Sequence, residues 1–272
     1  MALQDHIEQL FEAGPSSRSP ESLKLLAEFR AALNRGEIRA VAPEGDKWNV
    51  NSWVRKGIML HAVLGVVSQD EKGSSFELDT MPLRRFTPQD GVRIVPGGST
   101  IRDGIYLGSR VSCIAPLFIN MGAHIGADAI LDSHVSVGFC AQIGERVHIG
   151  PGTQIGGVLH PLDRLPAILA DDVVIGGNCG IYEGVCIGKR AIVGAGMILT
   201  GATRVFDLKN RCYFKRTPEQ PLLIPPDAIV VPGVRPMQGA YAASGLMLPV
   251  GVLVGYRNDA NLAEDVMAGL LD

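Results

Sequence analysis

An aliphatic side chain recurs at every sixth position along two long stretches of this chain. The first stretch runs from Val95 to Ile155, and only Cys113 interrupts it, with a side chain that is itself usually buried. The second stretch keeps the same spacing from Leu169 to Val205, and Gly often occupies the position that follows. A six-residue repeat of this length is typical of a parallel β-helix, in which short strands stack turn upon turn.

The repeat also predicts how the chain is divided. With three hexads in each turn, residues 18 apart stack on one another and the aliphatic side chains point inward. We predict a coil over residues 91–233, interrupted by ejected loops near 159–168 and 207–223. A small α/β helical domain over residues 1–90 precedes the coil, and a carboxy-terminal cap over residues 234–272 follows it.

The flanking segments carry local signals of secondary structure. Ser19 followed by Pro20 is a favourable helix start, and an apolar stripe predicts a helix that ends at Gly36. Short strands are expected at 38–41 and near Trp48, and another helix is expected over 52–64. A terminal helix over 261–271 is expected to cover the end of the coil.

The composition argues against several classes of partner and location. A net charge of −3 offers no electrostatic basis for binding nucleic acid or an acidic membrane. The longest apolar stretch, 246–254, contains Pro249 and Gly251 and is too short to span a bilayer. The amino terminus lacks the shape of a signal peptide, and the five cysteines include no CxxC pair. We therefore expect free thiols and a cytoplasmic protein.

Motifs along the coil point to a particular family. They include 119–123 (INMGA), 130–133 (ILDS), 140–144 (CAQIG), 155–159 (IGGVL) and 203–207 (TRVFD), with 33–36 (LNRG) nearer the amino terminus. Together they resemble the tetrahydrodipicolinate N-succinyltransferases, which are hexapeptide-repeat acyltransferases, and the resemblance ends near Tyr241. The resemblance implies a left-handed coil, a homotrimer with active sites between neighbouring coils, and no permanently bound cofactor.

The resemblance also implies an activity. The family transfers succinyl from the co-substrate succinyl-CoA to the amine of hydrated, ring-opened tetrahydrodipicolinate, in lysine and diaminopimelate biosynthesis. The amine must lose a proton as it attacks the thioester, and a nearby carboxylate can accept that proton. The family's Asp and Glu correspond to Asp132 and Glu183, to which we jointly assign general-base work and amine positioning. Asp132 stands where this coil otherwise prefers a small residue, and Glu183 points outward in the repeat.

Five further residues are expected to bind the substrate or CoA. Arg93 matches the family's substrate-binding arginine, and a dicarboxylate substrate suits a bidentate guanidinium. Asn120 is expected to add a polar contact to the substrate. Arg204, Lys215 and Arg216 are candidates for the CoA phosphates, with a solvated basic loop as the alternative interpretation.

Three departures from the family pattern leave the acyl group open. Residues 178–180 (NCG) replace an Arg-Ser-Glu run, so a cation near the acyl donor is missing. His160 replaces a Glu in the ejected loop, and Ser133 and His134 replace a Thr-Trp pair. Loss of a charge-assisted bond weakens discrimination between succinyl and acetyl. The alternative is therefore an acetyl-CoA-dependent N-acetyltransferase on the same or a related acceptor, in lysine synthesis or a specialised pathway.

Further alternatives assign the histidines a role or assign the chain none. One is a non-catalytic hexapeptide scaffold, and a related one is a coil that holds a metal on three histidines. By spacing, His124 and His160 share a lateral position, but neither His134 nor His148 lies 18 residues from another histidine. We therefore expect no metal site. In a third enzyme hypothesis, His134 or His124 serves as the base in place of Asp132.

Overall fold

The computed structural model describes residues 2–45, 47–65, 68–69, 76–77, 81–217 and 220–258. Short parallel strands stack into a three-sided coil, and the hexad side chains fill its interior, where Ile119, Ile125 and Leu131 are fully buried. The predicted fold class, a left-handed parallel β-helix with a small helical amino-terminal part, is confirmed. None of the helices within the described ranges has both the length and the apolar character needed to cross a membrane.

Three helices form the amino-terminal part: α1 (Leu3–Ala13), α2 (Pro20–Asn34) and α3 (Ser52–Val63). The Ser19 hydroxyl caps α2 by accepting a hydrogen bond from the Ser22 N–H at 3.1 Å. Pro20 occupies the first turn of α2. The N–H groups of a first turn have no partner within the helix, so the missing N–H of proline costs no hydrogen bond there. The helices share one apolar cluster with Met121 and Cys140 of the coil, so this part is docked on the coil.

Two short antiparallel strand pairs accompany the helices: β1 (Val41–Glu44) with β2 (Lys47–Val50), and β3 (Ser68–Gln69) with β4 (Phe76–Glu77). The strand predicted at 38–41 begins only at its last residue. Ile38 and Ala40 are apolar because they pack against the helical cluster. Val41 instead packs on Ile168 and Cys186, which holds the β1–β2 hairpin against one side of the coil.

The coil has three faces, which we call A, B and C. The chain visits them in this cyclic order and starts on face B. Face A contains Tyr106–Leu107, His124–Ile125, Gln142–Ile143, Ile168–Leu169, Val185–Ile187 and Leu222–Ile224. Face B contains Arg93–Ile94, Ser112–Cys113, Ile130–Leu131, His148–Ile149, Val174–Ile175, Ile192–Val193 and the later strands described below. Face C contains Thr100–Ile101, Phe118–Ile119, Ser136–Val137, Gln154–Ile155, Gly180–Ile181 and Ile198–Leu199.

Hydrogen bonds between successive turns fix this stacking. The Asp132 N–H donates to the Ile149 carbonyl at 3.0 Å, and the Gly150 N–H donates to the Ile175 carbonyl at 2.8 Å. Each inward aliphatic side chain contributes roughly 1.5–3 kcal/mol by its burial. The chain keeps its register across the ejected loop. Gln142 pairs with His124 of the turn before it and with Ile168 of the turn after the loop.

A long hairpin closes the carboxy-terminal end of the coil. Its strands are Ala228–Pro236 and Met247–Tyr256, joined by a 3₁₀ helix at Gly239–Ser244, and Val205–Asp207 and Cys212–Phe214 extend the same sheet. The boundary predicted at residue 233 falls inside the first of these strands. The loop predicted at 207–223 contains Cys212–Phe214 and the start of a face A strand. Leu253 enters the coil interior and covers its end. The terminal helix predicted at 261–271 lies outside the described residues.

The corner between faces A and B carries an alternating ladder of arginine and aspartate. Its six members all have left-handed backbone conformation: Arg110, Asp128, Arg146, Asp172, Arg190 and Asp227. They pair as Arg110–Asp128, Arg146–Asp172 and Arg190–Asp227, with nitrogen–oxygen distances of 2.6 to 2.7 Å. The arginines lower the pKa values of Asp128 and Asp172 by hydrogen bonding. We call this set the corner ladder.

Candidate active site

Asp132 stands at the corner between faces B and C, directly after the strand Ile130–Leu131. The turns above it have Gly150, Gly176 and Gly194 at the same position. A Cβ atom at Gly150 would lie 2.7 Å from the Gly177 nitrogen, which explains the small residues in this column. Asp132 is half-buried, and its Oδ1 accepts a hydrogen bond from the Ser133 N–H at 2.8 Å. It therefore presents a carboxylate where the later turns present bare backbone.

Glu183 stands at the next corner, between faces C and A. It is half-buried and follows Tyr182, whose hydroxyl donates to Gln154 Oε1 at 3.0 Å. Gly184, which comes next, has a left-handed φ of 77°, and its N–H donates to the Leu165 carbonyl at 2.9 Å. Neither Glu183 nor Asp132 forms an ion pair with any residue that the structure describes.

One chain does not bring these two carboxylates together. All of face C lies between their corners, and Glu183 stands two turns further along the coil, roughly 10 Å at the usual strand spacing. Arg93 is exposed on face B, two strands before Ile130. Asn120 shares the corner of Glu183 but lies three turns earlier, and its Oδ1 accepts the Met121 N–H at 3.0 Å. The predicted substrate residues are thus spread over two corners and a face.

The ejected loop leaves the coil at the corner of Glu183 and returns at Ala167. Arg55 of α3 holds this loop: its Nη1 donates to the Pro161 and Leu162 carbonyls at 3.2 and 3.0 Å. The Arg55 side chain is fully buried, and its Nε and Nη2 have no hydrogen-bond partner among the described residues. Burial lowers the pKa of Arg55, and the Cys140 thiol beside it offsets part of this effect.

A groove of about 440 Å³ lies between the ejected loop and the basic segment near residue 216. Its lining includes Arg164, Gly184, Arg216 and Gln220. Of the residues predicted to bind the CoA phosphates, only Arg216 lines it. Arg204 lines another groove, of about 370 Å³, together with Arg235. Lys215 is exposed beside Arg216.

Two residues at this site have no role in the sequence-based predictions. Arg55 follows the buried Val54 in α3 and stands three residues before the buried Ile58, and a cation at that spacing is a usable signal although Lys56 stands beside it. Its partners, however, are more than 100 residues away along the chain. Arg164 stands beside Leu165 in a segment that breaks the hexad repeat. The break predicts a loop, but it does not show in which direction the Arg164 side chain points.

The histidines are arranged differently from the spacing argument. Gln142 and then Ile168 stack on His124 in the following turns of the coil. His160 is exposed in the ejected loop, so it does not lie in the same column as His124. The His124 ring stacks on Tyr106 at 4.4 Å, and burial, with the nearby Arg39 charge, lowers its pKa to about 3. Among the described residues, no three His, Cys, Asp or Glu side chains are grouped to hold a metal.

The cysteines are all free thiols, as the sequence suggests. Cys113, Cys140, Cys179 and Cys186 are buried, and Cys212 is exposed. Burial raises the pKa values of Cys113 and Cys140 to about 12. These thiols are therefore protonated and form part of the packing.

A three-sided coil of stacked hexads, with glycine corners and one ejected loop, defines a protein of the hexapeptide-repeat class. Residues 2–64 match the family model described as tetrahydrodipicolinate N-succinyltransferase N-terminal. A 2,3,4,5-tetrahydropyridine-2,6-dicarboxylate N-succinyltransferase of Idiomarina loihiensis is 34% identical over 75% of this chain and 74% of its own length. The enzyme of the same name from Methylorubrum populi is 32% identical over 85% of each chain. The chain belongs to the tetrahydrodipicolinate N-succinyltransferase family.

One solved structure covers a smaller part of the chain. The crystal structure of a hexapeptide-repeat-containing acetyltransferase from Vibrio cholerae, complexed with acetyl-CoA, is 27% identical over 46% of this chain and 64% of its own, with a TM-score of 0.33.

Proposed function

We propose that this chain is a CoA-dependent N-acyltransferase that moves succinyl from succinyl-CoA to the amine of hydrated, ring-opened tetrahydrodipicolinate. Relatives that carry this activity in their names match three quarters of the chain or more. The observation that carries the proposal is the placement of Asp132 and Glu183 at two corners of the coil, where neither carboxylate forms an ion pair with a residue that the structure describes. We assign the reaction to lysine and diaminopimelate biosynthesis in the cytoplasm, which suits five free thiols.

The chemistry needs one proton acceptor and one leaving group. The substrate amine attacks the thioester carbonyl, a C–N bond forms, and the C–S bond breaks to release CoA as its thiol. The proton lost by the amine passes to a carboxylate, either Asp132 or Glu183, and from there to the departing CoA sulfur, and the other carboxylate positions the amine. Arg93 and Asn120 bind the acceptor, and Arg204 and Lys215 bind the CoA phosphates in this proposal. Arg216, the third candidate for CoA, lines the groove next to the Glu183 corner.

The separation of the two carboxylates supports a homotrimer with sites between subunits. A single substrate amine cannot touch both corners of one coil, because all of face C lies between them. A neighbouring copy can place its Glu183 corner beside the Asp132 corner of the first. A closed three-fold arrangement then forms three equivalent sites.

The proposal is tested by thiol release with succinyl-CoA and tetrahydrodipicolinate. We expect Asp132→Asn and Glu183→Gln each to lower kcat at least ~100-fold, since general catalysis of this kind contributes roughly 10²–10⁴-fold. Asp128→Asn is the matched control: it makes the same change four residues earlier, in the corner ladder between faces A and B, and should leave kcat within twofold.

Three results of this experiment favour other functions. No turnover with any acyl-CoA would favour a scaffold. Turnover with acetyl-CoA alone would favour the N-acetyltransferase alternative. Loss of activity in His134→Ala but not in Asp132→Asn would make the histidine the base.

A further inference from the structure

Two guanidinium groups line one groove beside Glu183. Arg164 comes from the ejected loop and Arg216 from the basic segment, and both line the 440 Å³ groove. Neither forms an ion pair with any residue in the described part of the chain. Asp163 is the one acidic side chain among the described lining residues, so the two arginines give that described lining a net positive charge.

The groove is continuous with the corner that carries Glu183. Gly184, the next residue, is part of the groove lining. The position that a Cβ atom would occupy at Gly201 is 3.5 Å from Arg216 Nη1 and 3.4 Å from the Glu183 carbonyl oxygen. The Arg216 guanidinium therefore lies close to the backbone of the proposed catalytic residue.

The backbone around Arg164 is fixed on both sides. Arg55 binds the Pro161 and Leu162 carbonyls, and the Arg164 N–H donates to the Pro161 carbonyl at 3.3 Å. On the other side, the Leu165 carbonyl accepts the Gly184 N–H. A cation on so constrained a loop segment loses little backbone freedom when it binds an anion.

We propose that Arg164 and Arg216 together bind the free carboxylate of the succinyl group and so select a dicarboxylic acyl donor. This inference rests on the proposed acyl transfer. A guanidinium pair binds a carboxylate through charge-assisted, bidentate hydrogen bonds. The acetyl group has no second carboxylate and gains nothing from these cations. Arg216 thus contacts the acyl group in this assignment, instead of the CoA phosphates.

The test compares kcat/KM for succinyl-CoA and acetyl-CoA in Arg164→Gln and Arg216→Gln. We expect each substitution to lower the succinyl-to-acetyl ratio of kcat/KM by about 10- to 100-fold, the range for one charged hydrogen bond. The value for acetyl-CoA should stay within twofold. Arg164→Lys should recover part of the ratio, because lysine keeps the positive charge but lacks the two parallel N–H groups of the guanidinium. Arg85→Gln, at an exposed arginine outside the groove, is the matched control and should leave the ratio unchanged.

The outcomes separate this inference from the proposed function. If the native protein turns over succinyl-CoA but neither glutamine variant changes the ratio, the inference is wrong and the acyl transfer stands. A parallel loss with both donors would also overturn it, since the arginines would then act on the shared CoA portion. If the native protein releases thiol from neither donor, both fail. If a glutamine variant folds poorly, Arg164→Lys replaces it, and free succinate is tested as a competitive inhibitor. An inhibition constant equal to that of the native protein would contradict the proposal.

Discussion

Replacing Arg55 by Met should loosen the ejected loop without unfolding the protein. The native guanidinium donates two hydrogen bonds to loop carbonyls, Pro161 and Leu162, and it is fully buried. Met has a similar length and is apolar, so it can occupy the same space. Pro161 is exposed and Leu162 is half-buried, which allows water to reach the carbonyls that lose their donor.

Two opposing effects set the magnitude of this change. Hydrogen bonds from a charged donor contribute roughly 1.5–3 kcal/mol each, and opening the loop breaks both. Against this, burying a guanidinium whose Nε and Nη2 have no hydrogen-bond partner among the described residues costs roughly several kcal/mol, and Met removes that cost. We therefore expect the free energy of unfolding to change by at most about 1 kcal/mol. The free energy of loop opening should fall by about 3 kcal/mol or more, the sum for two such bonds at the lower figure, which raises the open fraction roughly 150-fold or more.

Hydrogen exchange and urea unfolding measure the two quantities separately. The informative amides are those of the loop and of Gly184, whose N–H is bonded to the Leu165 carbonyl. Arg30→Met is the control, because Arg30 pairs with Asp103 of the coil at 3.0 Å, away from the loop. The control should lower global stability and leave loop exchange unchanged. Unchanged loop exchange in Arg55→Met, or a global loss above about 3 kcal/mol, would refute this reasoning.

Three further substitutions test the fold. Ile143→Ala, in the fully buried coil interior, should lower the free energy of unfolding in urea by about 2–5 kcal/mol, because it leaves a cavity; a loss below about 1 kcal/mol would contradict the interior position. Gly150→Ala should cost about 1–3 kcal/mol in the same assay, since the new Cβ would lie 2.7 Å from the Gly177 nitrogen; an equally stable variant would show that the turn can shift freely. Arg110 lowers the pKa of Asp128, so the stability from this pair is present above the ordinary carboxyl pKa of about 4 and is lost as the pH falls through the lower folded value. The difference in Tm between the native protein and Asp128→Asn should therefore vanish in strong acid, and a difference that persists there would have another source.

The sequence predicts the coil well because its cause is local. Each turn repeats the same steric requirement, an aliphatic side chain inside and a small residue at the corner, so Leu131 and Gly150 are readable from spacing alone. Three of the five steps of the corner ladder have the regular 18-residue spacing and are equally readable. Arg110 and Asp128 lie 18 residues apart, as do Asp128 and Arg146, but their alternation of charge drew no prediction.

The parts that the sequence did not predict depend on contacts between distant segments. The hexad pattern stops at the ejected loop, and nothing near Pro161 shows that Arg55 holds it. Ile38 has the apolar character of a strand residue, yet it packs on the helices, which are defined only in three dimensions. The position of Glu183 relative to Asp132 also requires the full path of the coil, because the loop shifts the count between them.

The most direct test of the active site mixes two inactive variants. Asp132→Asn and Glu183→Gln chains are unfolded together, refolded at equal amounts, and assayed for thiol release with succinyl-CoA and tetrahydrodipicolinate. If each site takes Asp132 from one copy and Glu183 from its neighbour, about one quarter of the sites in randomly mixed trimers regain both native residues. We predict recovery of roughly that fraction of native activity. Mixed trimers that form, as shown by native mass spectrometry, but stay inactive would contradict a site shared between subunits.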